Sequence, residues 1–177
     1  MSENACYAVL VGRTSNEVCL AVVAQAALQG RLSFRGGLEI AAHDEDDRSV
    51  LVRVEPDADD DGTELIQISI DQWESRLLDL AALSRTLACA MVCNQVVSEG
   101  IHCEATWFLH EGEELYREGE TAEGHLFLEC PSLGIHLSQA TSKERGAARL
   151  RVLAWLRERV GATVDHLLNA EEALDEE

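Results

Sequence analysis

The chain has 177 residues, enough for one domain with a sizeable core, and 46% of them are hydrophobic, which excludes a protein disordered throughout. Its formal net charge of −19 argues against direct binding to nucleic-acid phosphates or to anionic membranes. The same charge favours a basic partner, a surface that mimics nucleic acid, or solubility alone.

The cysteines and the first residues bear on the compartment. The chain begins MSENACYAVLV, with an acidic Glu3 where a secretory signal has basic residues. No stretch is as long as the run of about 20 apolar residues that a membrane helix needs. We therefore expect a cytoplasmic chain with free thiols. Six cysteines fall mostly in apolar runs: Cys6, Cys19, Cys89, Cys93, Cys103 and Cys130.

The N-terminal part predicts a strand followed by a helix. Residues 5–11 form a short apolar run, typical of a strand buried on both faces. Thr14 and Glu17 have the spacing of a capping box, which opens a helix that we expect to end at Gly30. That helix is apolar over most of its surface, so it should pack on the sheet.

The next segment predicts an antiparallel meander. Residues 32–42 look extended, and Gly36-Gly37 indicates either a bulge in one strand or a tight hairpin. A phosphate-binding loop is the weaker alternative, because no nucleotide-binding glycine motif follows. Residues 49–55 and 64–70 alternate between apolar and polar positions, which predicts two strands with one buried face.

Residues 71–100 predict a long central helix around which the fold is organised. Asp71 has the chemistry of an N-cap, and Gly100 that of a left-handed end residue. Residues 87–93 are apolar all round, so we expect them to be covered on most sides. An interruption at residues 84–86 indicates a bend or a break as the alternative.

Cys89 and Cys93 would lie one turn apart on this helix. A metal or redox pair is one interpretation, and two small apolar side chains in the core are the other. The second is favoured because there is no Cys-x-x-Cys motif and no histidine close to the pair in sequence.

The C-terminal part predicts strands and then helices. Strands are expected over residues 101–109, 125–130 and 133–138, with a short extended piece at Leu115-Tyr116. A capping box at Thr141 opens a helix to Val160, and a last helix follows from Thr163. The fold class is α+β: one domain over residues 1–177, a mainly antiparallel sheet packed by the central helix and by N- and C-terminal helices, with an acidic tail at 172–177.

Two sets of residues are candidate metal ligands. Asp57, Asp59 and Asp61 match the first half of a calcium loop, although the position of its last ligand is Ile68, and a solvated turn is the alternative. His102 and Glu104 share one strand face, and His125 and Glu129 share another. If the two strands were adjacent, the four side chains could bind zinc or iron; otherwise they are surface residues.

Charge is concentrated in a few segments. Between residues 143 and 159 there are six basic residues and two acidic ones, so a segment of +4 stands in a remainder of −23. The helix either docks on acidic groups of its own chain or faces a partner. Candidate partner-binding residues are Asp44, Asp46, Asp47, Asp59, Asp60, Asp61, Arg149 and Arg157.

The order from Ser15 to residue 160 is predicted as helix, three strands, long helix, two or three strands and helix. In a small acidic chain this order resembles the secretion-chaperone group, which includes type III effector chaperones and YbjN-like proteins. The resemblance implies a homodimer that holds an unfolded segment of another protein. It carries no functional residues across, because it depends on element order and charge.

We therefore predict a non-catalytic protein-binding module: a chaperone, adaptor or immunity-type inhibitor with a basic protein partner, no cofactor and no direct contact with nucleic acid or membrane. One alternative is an acidic nucleic-acid mimic that inhibits a DNA- or RNA-binding protein. The other is a metal-dependent enzyme that uses the His/Glu strand faces. No nucleophile, phosphate-loop or dinucleotide motif is present.

Overall fold

The computed structural model of the protein describes residues 4–28, 31–34, 39–43, 49–58, 62–71, 78–97 and 103–174. The strands are β1 Asn4–Val11, β2 Arg31–Phe34, β3 Glu39–His43, β4 Ser49–Ala58, β5 Glu64–Asp71, β6 Ala90–Val97, β7 Cys103–His110, β8 Glu113–Glu120, β9 Leu126–Cys130 and β10 Ile135–Ala140. The helices are α1 Ser15–Ala27, α2 Leu80–Leu87, α3 Ser142–Val160 and α4 Thr163–Leu174, with a 3₁₀ turn at Pro131–Leu133.

The ten strands form one sheet in the order β10-β9-β8-β7-β6-β1-β5-β4-β3-β2. Every neighbouring pair is antiparallel. One meander runs from the β2 edge inward to β5, and the other runs from β6 outward to β10. The predicted α+β class with a mainly antiparallel sheet is confirmed.

Helices cover parts of both faces of the sheet. On one face, α1 packs on β2, β3 and β4, while α2 packs on α1, β7 and β8. On the other face, α3 packs on β9 and β10, and α4 packs on β1 and β6. Each face has its own apolar core, because side chains of a strand alternate between the two faces.

The predicted strand at residues 5–11 is confirmed as buried on both faces. Cys6, Ala8 and Leu10 point into the core under α1 and α2. Val9 and Val11 point into the core under α3 and α4. Strand β1 lies between β5 and β6, so its backbone is paired along both edges.

The capping box at the start of α1 is confirmed. The Glu17 amide donates to the Thr14 hydroxyl at 3.3 Å, and the Thr14 amide donates to a Glu17 carboxylate oxygen at 2.8 Å. The Thr14 hydroxyl also donates to this carboxylate, at 2.9 Å, and the hydrogen bonds from the Thr14 amide and hydroxyl lower the pKa of the Glu17 carboxyl. The helix ends at Ala27, with Leu28 as its C-cap, and the expected stop at Gly30 lies outside the described residues.

The predicted meander is confirmed, with two adjustments. Strands β2 and β3 pair with each other, which supports the hairpin interpretation of Gly36-Gly37, although the glycines themselves lie outside the described residues. Strand β4 continues through Pro56 to Ala58, beyond the expected end at residue 55. Its pairing with β3 ends at Arg53, so no described strand needs the missing proline N–H on that edge.

The predicted central helix over residues 71–100 is wrong. Asp71 ends β5, and α2 covers only Leu80–Leu87, with Asp79 as its N-cap. Ala88 follows in the left-handed conformation, with φ 47°, and β6 then runs from Ala90. The expected end at Gly100 lies outside the described residues. Helix α1, and not a central helix, packs over the meander strand β4.

The error has a physical cause: hydrophobic pattern alone does not separate a buried helix from a strand buried on both faces. Strand β6 lies between β1 and β7, with Met91 and Cys93 in one core and Val92 in the other. A run of consecutive apolar residues therefore suits this strand, because both of its faces are buried. It is the same pattern that correctly predicted β1.

Polar contacts hold the end of α2 where the chain turns into β6. The Arg13 guanidinium donates to the Leu87 carbonyl at 2.7 Å and to the Ala88 carbonyl at 3.2 Å. The buried Ser84 hydroxyl donates to the Cys89 carbonyl at 2.8 Å. These contacts satisfy carbonyl groups that a helix end leaves without partners.

The C-terminal strands and helices largely follow the prediction. Strand β8 is longer than the expected short piece, whereas β9 and β10 lie close to the predicted positions. The Thr141 capping box and the helix ending at Val160 are confirmed.

A pair of glycine substitutions tests the packing of β7 against β8. A Cβ atom on Gly119 would collide with the Glu104 carbonyl oxygen and come within 2.9 Å of the Ala105 Cα, whereas one on Gly146 in α3 would meet nothing within 4 Å. We expect Gly119→Ala to cost about 2 kcal/mol or more. Gly146→Ala should stabilise by roughly 0.5–1 kcal/mol through helix propensity. Urea unfolding of both variants measures the difference, and equal effects would contradict the register of this strand pair.

Candidate protein-binding surface

The structure does not bring the predicted His/Glu metal ligands together. Strand β8 lies between β7, which carries Glu104, and β9, which carries Glu129. The register places Glu104 on the α3/α4 face and Glu129 on the opposite face. His125 is exposed just before β9, and His102 lies outside the described residues. Within the described ranges, no group of three or more histidine, cysteine or acidic residues could hold a metal ion.

The acidic candidates fall mainly on parts of the chain that the structure does not describe. Asp57 belongs to strand β4, opposite Leu65, and so does not open a loop. The remaining acidic candidates lie outside the described residues: Asp44, Asp46, Asp47, Asp59, Asp60 and Asp61.

The basic candidates on α3 contact acidic groups of their own chain. Arg149 lies 3.0 Å from the largely buried carboxylate of Glu118 on β8. Arg157 pairs with Asp165 of α4 at 2.8 Å, in a contact that is about half exposed. Both arginines therefore help to attach α3 to the sheet and to α4.

Cys89 and Cys93 are core side chains of an extended segment. Cys93 lies in β6, Cys89 directly precedes that strand, and both join Cys6 in the core under α1 and α2. All three thiols are free. Burial raises the pKa of Cys6 to about 12 and that of Cys89 to about 11, and it also raises the pKa of Cys93. Thiols held in the protonated form are poor nucleophiles and poor metal ligands.

The raised thiol pKa of Cys6 predicts a fall of stability in alkali. Above the ordinary pKa of 9.0 the unfolded chain loses this proton, while the folded chain keeps it up to about pH 12, so stability decreases as pH rises between these values. Cys6→Ala should make the decline shallower by up to about 1.4 kcal/mol per pH unit. Denaturant unfolding between pH 9 and 11 checks this, with Cys19→Ala as a half-exposed control. Parallel curves for the wild type and the Cys6 variant would contradict it.

A row of buried polar side chains crosses the α3/α4 face of the sheet. Ser69, Asn94, Thr106 and Glu118 are buried, and with the half-buried Tyr7 they occupy directly opposed positions on β5, β1, β6, β7 and β8. Opposed side chains of antiparallel strands lie about 5 Å apart. A polar row inside an apolar face penalises a slip of register, because a slip would separate these polar groups from one another and place them against apolar side chains. We read this row as structural.

Sequence patterns could not have found this row. Each residue of the row comes from a different strand, and only the order and register of the strands align them. The row runs across the strands, so its residues lie far apart in the sequence.

The outer face of α1 is apolar and exposed. Val18, Val22 and Ala26 form its buried inner face. The outer face carries exposed apolar residues, which we name the α1 outer stripe: Leu20, Ala24, Ala27 and Leu28. Leu20 is 71% exposed and Leu28 is 84% exposed.

Helical geometry places these four residues on one side. At about 100° per residue, their positions span roughly 100° of the helix circumference. After Glu17 in its first turn, α1 has no charged residue. A helix that is apolar on both faces is typical of a position between two layers, but the sheet supplies only one layer here.

Hydrogen bonds fix α1 in this position. The Gln25 side-chain amide donates to the Asp79 carbonyl at 2.9 Å, and the Asp79 amide donates to the Gln25 side-chain oxygen at 3.0 Å. At the other end, Arg13 lies directly before the capping box and donates to the Leu87 and Ala88 carbonyls. The outer stripe therefore belongs to a helix that is attached to the fold at both ends.

Leu150 on α3 provides a contrast. It is 71% exposed, like Leu20, but α3 carries no second exposed leucine. Its neighbours on the helix surface are small or partly buried (Gly146, Ala147, Leu153 and Ala154), and exposed Lys143 and Arg157 lie two turns away in either direction. Single exposed leucines are ordinary on protein surfaces, whereas larger exposed apolar patches are typical of interaction sites.

No family model matches the chain, and neither the curated proteins nor the solved structures contain a match to it. The resemblance to secretion chaperones stays a prediction. Among the described residues, no helix is long and apolar enough to cross a membrane.

Proposed function

We propose that this protein is a non-catalytic protein-binding module that docks a partner on the α1 outer stripe. The observation that carries the proposal is the pair Leu20 and Leu28, both mostly exposed on one side of a helix that is otherwise free of charge after its first turn. Chaperones, adaptors and immunity-type inhibitors all act through contacts of this kind.

The energy available from the stripe is sufficient to matter. Burying an exposed leucine side chain contributes about 1.5–3 kcal/mol. The two leucines together therefore offer roughly 3–6 kcal/mol, which corresponds to a factor of about a hundred or more in affinity. Nothing in the fold of the described residues uses this contribution, because the inner face of α1 supplies the contacts to the sheet.

Charge supports a basic partner. A chain with net charge −19 attracts basic proteins over distances of about 10 Å at ordinary salt and speeds their encounter. In this proposal the apolar stripe supplies affinity, and the acidic remainder supplies steering.

A photo-crosslinking experiment tests the proposal. A benzoylphenylalanine in place of the exposed Asn16, beside the stripe, should give one defined adduct in the native host. Leu20→Glu or Leu28→Glu should reduce the adduct roughly a hundredfold, because a carboxylate would have to enter an apolar contact.

The matched control is Leu150→Glu, which changes an equally exposed leucine on α3 and should leave the adduct unchanged. An adduct that persists in both stripe variants would refute binding through α1. Loss of the adduct on addition of competing duplex DNA would instead support the nucleic-acid mimic.

A further inference from the structure

Within the proposed function, we infer that the partner is a basic protein with an apolar groove that closes over α1, and that Ala24 and Ala27 determine which groove fits. This inference rests on the α1 outer stripe being the docking surface.

The shape of the stripe favours a concave occupant. Two leucines and two alanines on one helix offer only a fraction of the about 800 Å² that each partner buries in a stable complex. Two helices in contact through their outer stripes would touch only along a narrow line, because both surfaces are convex. A groove that surrounds the helix also reaches its half-buried flanks at Cys19 and Val23, so it gains area that a flat surface cannot.

The charge of the chain argues against a second copy and against an anionic membrane as the occupant. Two copies would bring −19 towards −19, and α1 has no basic residue that could reduce the repulsion. An anionic lipid surface would repel the chain in the same way. A basic protein is the occupant whose charge complements this chain.

The side chains at the middle of the stripe are small. Ala24 and Ala27 are exposed and lie between Leu20 and Leu28 along the helix. Side chains of a single carbon allow the wall of a groove to approach the helix backbone, while the leucines at either end fill pockets. Close contact of this kind makes affinity depend on shape as well as on apolar area.

Small-to-large substitutions separate a fitted groove from a general apolar contact. Ala24→Leu and Ala27→Leu add apolar area and keep a strong helix former, so the variants should fold. Against the partner that the crosslinked adduct identifies, purified separately in its free form, calorimetric titration should show about ten- to a hundredfold weaker binding for each variant. The control Ala154→Leu, at an exposed alanine of α3, should bind as the wild type does.

Each other outcome overturns the inference. Unchanged or tighter binding by the leucine variants would mean that apolar area alone determines the affinity. The inference of a fitted groove would then be wrong, whereas α1 would remain the docking surface. A wild-type dimer in sedimentation equilibrium that Leu28→Glu dissociates would identify a second copy as the occupant. If the glutamate variants of the stripe have no effect, the proposed function itself fails.

Discussion

The structure depends on the double burial of β1. This strand carries one set of side chains into each core and pairs along both edges, with β5 on one side and β6 on the other. Both meanders are therefore attached to one central strand. A polar residue at Ala8 or Val9 would disturb a core, and a slip of register would also misplace the polar row that includes Asn94.

The left-handed residue Ala88 is the second constraint. It ends α2 after eight residues and directs the chain into β6, on the far side of β1 from β5. Its conformation is unfavourable for alanine, and the hydrogen bonds from Arg13 and Ser84 to the neighbouring carbonyls offset that cost. A short connection thus replaces the long helix that the pattern predicted.

The proposed function follows from an imbalance between the two sides of α1. The contacts of α1 with the core come from buried Val18, Val22 and Ala26 and from the partly buried residues beside them, yet the helix carries a second apolar face that no described element covers. Such surplus apolar surface is costly in water and is normally retained for binding. The buried polar residues, by contrast, form a row whose role is explained by strand register, and the buried cysteines are explained by packing.

The sequence by itself determined the features that depend on near neighbours: the capping boxes at Thr14 and Thr141, the alternating strands β4 and β5, and the doubly apolar strand β1. These features need only hydrogen bonds and side-chain alternation within a few residues. Only the tertiary structure decided that residues 90–97 form a strand, that Glu104 and Glu129 lie on opposite faces, and that Leu20 and Leu28 remain in water. Those outcomes depend on which strands become neighbours and on where the covering layer ends, and contacts between distant parts of the chain set both.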